Sequence, residues 1–214
     1  MYEIFQAGGW IMWPLLICSL LTMVIFIDRM LALQKKRVVP QKLTETVWTW
    51  IKNKQIDDER LRALHNNSPL GRVLAAGLVH RHQSTEVIKS SIEDTGRHVV
   101  HEMERYLNTL GTVAEVAPLL GLLGTVWGMI KVFSAIVREG VGDPSVLAGG
   151  ISQALITTAA GLLVAIVAKI AYRYLHGKVS VLVVDMEKEA IRLLQSMEGR
   201  MPLSGVEPTA TKIK

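Results

Sequence analysis

The stretch LNTLGTVAEVAPLLGLLGTVWGMI, Leu107 to Ile130, decides the fold. Glu115 is its only charge. A helix that crosses a bilayer needs about 20 mostly apolar residues, since each adds about 1.5 Å across a hydrocarbon core of about 30 Å. This stretch has that length. Backbone N–H and C=O groups cannot stay unpaired in lipid, so the block is predicted to be helical despite Gly111, Gly121, Gly124 and Gly128.

Two further blocks lie on either side of it. Ala7 to Ile27 and Ser145 to Ala168 are long enough to cross and carry no charge. The first block has no basic residue before it, exceeds the length of a signal-peptide core, and is followed by Asp28, Arg29, Lys35, Lys36 and Arg37; that pattern predicts a retained anchor. Half of the 214 residues are apolar and only 20% are charged, with the charges gathered between the blocks. A water-soluble domain carries more charge and fewer long apolar runs, so a membrane protein with a cytosolic part is expected. The net charge of +5 follows the membrane edges and forms no aromatic-interleaved patch, which argues against nucleic acid as a partner.

Lysine and arginine near the block ends set the orientation. None precedes Trp10, whereas Arg29, Lys35, Lys36, Arg37 and Lys42 follow Ile27, and Lys169, Arg173, Lys178 and Lys188 follow the third block. The expected layout is a first span within 1–33 with its N-terminus outside, a cytosolic helical region over 34–106, a second span over 107–137, an external loop at 138–144, a third span over 145–174, a cytosolic helical extension over 175–200 and a disordered tail at 201–214. Between Pro40 and Leu107, Ser68-Pro69 marks a helix start with proline in its first position, and Ser84 and Glu86 suit another. Apolar or small residues recur from Ile88 to Leu107 with no Pro or Gly cluster before the second block, which predicts one helix from about Ser84 to Val137. The third span is predicted to run on to Gly199. The fold class is therefore all-α, with the second and third membrane helices extended into a cytosolic helical bundle.

Blocks two and three are not uniformly bulky. Ala114, Ala117, Gly121, Thr125 and Gly128 step by three or four residues and share a face, with Gly124 alongside; Gly150, Ala154, Thr158, Gly161 and Ala165 do the same. Small residues at this spacing let helix backbones approach closely. Packing alone does not account for Thr125, Gln153, Thr157 and Thr158 in the same stripes, because polar groups at that depth face protein or water. Their side chains either bond to a backbone carbonyl or line a path.

Ala117-Pro118-Leu-Leu-Gly121-Leu-Leu-Gly124-Thr125-Val-Trp127-Gly128-Met129, followed by Gly149-Gly-Ile151-Ser-Gln153-Ala154-Leu-Ile-Thr-Thr158-Ala-Ala-Gly161-Leu, resembles the paired signature of the ExbB/TolQ/MotA proton-channel family. The opening Ala-Gly-Gly-Trp10-Ile-Met-Trp13-Pro14 looks like its short ExbB-type branch. The resemblance implies a ring-forming homopentamer in a bacterial inner membrane. A dimer of ExbD-like single-span proteins would thread its central pore, and a TonB-like protein would take up the energy. Protons, and no cofactor, would pass by way of an aspartate on the partner's helix. Thr125 and Thr158 match the threonines that face that aspartate, while Pro118, Gly121, Gly124, Gly128, Gly150, Ala154 and Gly161 would pack the pore helices. Two departures follow from the same comparison. Gln153 stands where many relatives have glutamate, and an amide cannot relay a proton; Val167 replaces a proline and leaves its helix straighter.

If Thr125 and Thr158 lie at one depth, antiparallel helices put Glu115 level with Ala168, beside Lys169, and Lys131 level with Gln153. Glu115 and Lys169 then either pair at the cytosolic mouth, within or between subunits, or snorkel separately into the headgroups. His98, His101 and Glu102 have chelating spacing on a helix, but they sit among scattered basic residues and read as solvated or headgroup-facing. Trp48 and Trp50 suit either a membrane surface or core packing. With no P-loop, nucleophile motif or zinc spacing, an enzyme is not expected. Within the family, a TolQ-like envelope role or a motility stator is the alternative; outside it, a non-conducting membrane scaffold.

Overall fold

The computed structural model describes residues 8–53, 56–140 and 144–197. Regular structure among them is entirely helical: α1 Met12–Ala32, α2 Lys35–Val38, α3 Gln41–Lys52, α4 Asp58–Asn67, α5 Pro69–Val79, α6 Thr85–Met103, α7 Leu107–Glu139 and α8 Pro144–Met197. Met12–Ala32, Leu107–Arg138 and Leu147–Met197 are long and apolar enough to cross a membrane, which makes this an all-α membrane protein. The chain forms two compact units, one from Met1–Leu33 with Glu104–Lys178 and the other from Gln34–Met103 with Val179–Lys214.

In the first unit, small side chains on α7 and α8 leave a notch that α1 fills. Ile11 and Leu15 are buried there with Ala117 and Ala165, and further along α1 Cys18 packs beside Val113, Ala114 and Ala168. Outward-facing positions are large and apolar: Met23, Leu119 and Leu163 are each more than 60% exposed. In water such a surface would drive aggregation, whereas in hydrocarbon it costs nothing. Trp10 meets Trp127 edge-on with ring centres 6.0 Å apart at one end of the unit, and Phe26 lies 6.4 Å from Tyr174 toward the other.

The single helix expected from Ser84 to Val137 is instead two. α6 ends at Met103, the Leu107 N–H donates to the Glu104 carbonyl at 3.0 Å, and Tyr106 takes a left-handed φ of 65° before α7 begins. A non-glycine residue there costs on the order of 1–3 kcal/mol. The Tyr106 ring lies beneath the guanidinium groups of Arg29 (5.4 Å) and Arg105 (4.7 Å), contacts of about 0.5–1 kcal/mol each that offset much of that strain. α8 is continuous to Met197; Gly199, the tail and loop residues 141–143 lie outside the described residues.

The second unit is organised around α5, where Leu70, Val73, Leu74, Ala75 and Leu78 are all buried. The expected start is present: the Ser68 hydroxyl accepts from the Gly71 N–H at 3.1 Å, with Pro69 in the first turn. α4 and α6 pack on α5. Leu182, Met186, Ala190 and Leu193 of α8 are also buried. Arg72 and Glu102 form a two-pronged pair at 2.9 and 2.6 Å, and its hydrogen bonds hold the Arg72 guanidinium above its ordinary basicity. That pairing occupies the carboxylate of the His98–His101–Glu102 cluster. Trp48 and Trp50 are half-buried on α3, where the Arg60 guanidinium covers the Trp50 ring at 5.5 Å.

Candidate functional site

The seam between α7 and α8 brings the two small-residue stripes together inside one chain. A β-carbon on Gly161 would lie 2.6 Å from the Ala117 carbonyl oxygen and 3.0 Å from the Gly121 Cα; one on Gly128 would lie 2.7 Å from the Gly150 carbonyl oxygen. One on Gly124 would overlap the Thr157 side chain, and one on Gly150 the Val132 side chain. Hydrogen-sized side chains are required here because backbone faces backbone. The glycine faces are thus spent on packing within the chain, and the surface left for other molecules is the bulkier one beside them. Pro118 is half-buried inside α7.

The four polar candidates separate into two pairs. Thr157 is completely buried, and its hydroxyl donates to the Gln153 and Ala154 carbonyls at 3.0 and 2.9 Å. Gln153 is 7% exposed. Its Oε1 accepts from the Lys131 ammonium at 3.1 Å, as the antiparallel register predicts, and its Nε2 donates to the Gly8 carbonyl at 3.3 Å. Both side chains therefore face the interior of the three-helix unit and line no outward surface. Gly9, at φ +72°, has no room for a β-carbon against the Gln153 amide. An amide suits this position because it accepts from a cation at one end and donates to a carbonyl at the other; a carboxylate meets only the first demand.

Thr125 and Thr158 differ. Both are half-buried, and they border exposed positions Leu122, Val126 and Met129 on α7 and Ile151, Leu155 and Leu162 on α8. The Thr125 hydroxyl donates to the Leu122 carbonyl at 2.7 Å. The Thr158 hydroxyl is shared between the Ala154 carbonyl at 3.1 Å and the Gly121 carbonyl of the facing helix at 3.3 Å. Each hydroxyl has one proton, already committed to backbone, and lone pairs that are not. Toward an incoming group the two threonines are acceptors first and become donors only by rotating away from the helix.

Glu115 and Lys169 are both exposed. Their neighbours Ala114 and Ala168 meet in one buried cluster, so the expected depth holds. They do not pair within the chain: the Lys169 ammonium sits 5.9 Å from the Tyr172 ring centre, and no ion pair of Glu115 occurs among the described residues.

These features define a helical membrane protein with three helices long and apolar enough to cross a membrane, a backbone-to-backbone seam and two hydroxyls at its outer edge. Residues 65–188 match the model of the MotA/TolQ/ExbB proton channel family, and the chain belongs to that family. It is 38% identical over 179 residues to an ExbB-like biopolymer transport protein of Synechocystis sp., covering 80% of this chain and 68% of that one. An ExbB homologue of Methanothermobacter thermautotrophicus is 35% identical over 130 residues, 61% of this chain and 44% of the relative. The biopolymer transport protein ExbB of Neisseria gonorrhoeae is 32% identical over 117 residues, 53% of each. The match thus spans only about half the length of the last two relatives.

Proposed function

We propose that this chain is an ExbB-type subunit of a complex driven by the proton gradient of a bacterial inner membrane, with its N-terminus outside and its C-terminus in the cytosol. Several copies, five by the family resemblance, surround single-span partner helices that carry an aspartate. The complex delivers the energy to a TonB-like protein for transport at the outer membrane. The observation that carries the reading is the placement of Thr125 and Thr158 at the border of the exposed α7–α8 face, each hydroxyl proton donated to a backbone carbonyl and the oxygen's lone pairs able to accept.

The chemistry follows from those lone pairs. A protonated carboxyl group donates to a threonine oxygen that stays bonded to its own helix. A carboxylate needs donors, so the hydroxyls must leave the Leu122, Ala154 and Gly121 carbonyls to reach it. Desolvating a charge at mid-membrane is expensive without such bonds. The threonines therefore lower the cost of the ionised state and keep a resting arrangement for the neutral one. Gln153, held inside the chain, takes no part in the transfer.

Proton flux into proteoliposomes containing the complex copurified with its single-span partner tests the reading. A lost hydrogen bond is worth about 0.5–1.5 kcal/mol, so Thr125→Val and Thr158→Val are each expected to slow flux by about 2–10-fold. Undiminished flux in both variants would remove these residues from the path. Glu115 and Lys169, which form no ion pair among the described residues, are proposed to meet between neighbouring copies. Glu115→Lys and Lys169→Glu singly are expected to weaken assembly on native gels, and the double reversal to restore it; a double variant as weak as either single one overturns the pairing.

A further inference from the structure

A groove of about 690 Å³ runs between α1 and α8, lined on one wall by Ser19, Met23, Phe26 and Met30 and on the other by residues including Val167 and Tyr174. We propose that it holds the acyl portion of an anionic glycerophospholipid, with the headgroup phosphate at Lys178.

Length, width and charge carry the assignment. From Ser19 to Met30, and from Leu163 to Tyr174, the walls extend about 16 Å at 1.5 Å per residue. That is the depth of one leaflet, half of a hydrocarbon core of about 30 Å. Volume over length gives a mean cross-section of about 40 Å², well under the roughly 80–110 Å² of a helix 10–12 Å across. A slot of that width takes hydrocarbon chains along its length. The lining is mostly apolar, and the proton of the Thr22 hydroxyl is donated to the Cys18 carbonyl at 2.8 Å. Phe26 and Tyr174 narrow one end, with rings 6.4 Å apart. There the Lys178 ammonium lies 5.9 Å from the Tyr174 ring centre. An apolar slot one leaflet deep that ends at an aromatic ring and a lysine ammonium matches the chemistry of an anionic lipid from tail to phosphate. Nothing in this rests on proton conduction.

The test is native mass spectrometry of the intact complex after reconstitution into vesicles of equal phosphatidylglycerol and phosphatidylethanolamine. The wild type is expected to retain lipid enriched in phosphatidylglycerol. Val167 and Met23 are exposed by 59% and 62%, so Val167→Trp and Met23→Trp fill the groove from opposite walls without disturbing the core, and both are expected to lose the retained lipid. Lys178→Gln is expected to keep lipid but cut the preference for phosphatidylglycerol about fivefold, the worth of one cation near a headgroup surface. Equal lipid retention in wild type and both tryptophan variants overturns the proposal. So does a change of oligomeric state in those variants with no loss of lipid, which would assign the groove to another copy of the chain.

Discussion

Gly161→Val is expected to destabilise the first unit at the upper end of the roughly 1–3 kcal/mol that overpacking costs. The reason is what the new side chain would meet. Its β-carbon alone would lie 2.6 Å from the Ala117 carbonyl oxygen and 3.0 Å from the Gly121 Cα, and backbone cannot step aside as a flexible side chain can. The helices must separate, which also opens the notch that Ile11 and Leu15 fill. Gly177 supplies the control, because nothing lies within 4 Å of a β-carbon there. Gly177→Ala is expected to be neutral or to stabilise by up to about 1 kcal/mol through helix propensity. Thermal unfolding in detergent reads both; equal midpoints for the two variants would mean that the seam is not close-packed.

The second large effect is expected at Gln153. Gln153→Leu keeps the bulk but leaves the Gly8 carbonyl without its donor and the Lys131 ammonium without its acceptor. An orphaned buried acceptor costs about 1–3 kcal/mol; the ammonium, being exposed, recovers most of its loss from water. The damage is local: faster hydrogen exchange over residues 9–15, with α7 and α8 little changed. Gln153→Glu should fall between leucine and wild type, since a carboxylate keeps Lys131 but presents an acceptor to the Gly8 carbonyl. Uniform exchange rates across the three proteins would show that the amide ties nothing down.

These contacts mark the limit of what could be read from the chain. Three apolar blocks, their helical state, the proline-led start at Pro69 and the level of Lys131 with Gln153 follow from length, spacing and rise per residue, and all are present. The break at Tyr106 was not legible, because no glycine or proline announces it; it is held by Arg29, 77 positions earlier in the chain, as much as by its neighbours. Likewise the stripes of glycine and alanine gave away close approach but not the identity of the approaching surface. A helix pair within one chain and a pair between chains use the same small residues. Only the placement of α1 against Ala117 and Ala165 shows which faces remain open. The clasp on Gly8 was hidden for a related reason: nothing in Gly8-Gly9 announces that the amide of Gln153, 145 positions after Gly8, occupies the space beside them.

The seam has a consequence for how this chain can vary. Where side chains are already reduced to hydrogen, every substitution is an increase in bulk, so no graded path of small compensating changes leads away from Gly121, Gly124, Gly128 or Gly161. The outward ridges of leucine, valine and phenylalanine carry no such restriction, so a change of side chain there leaves the inner joint fixed.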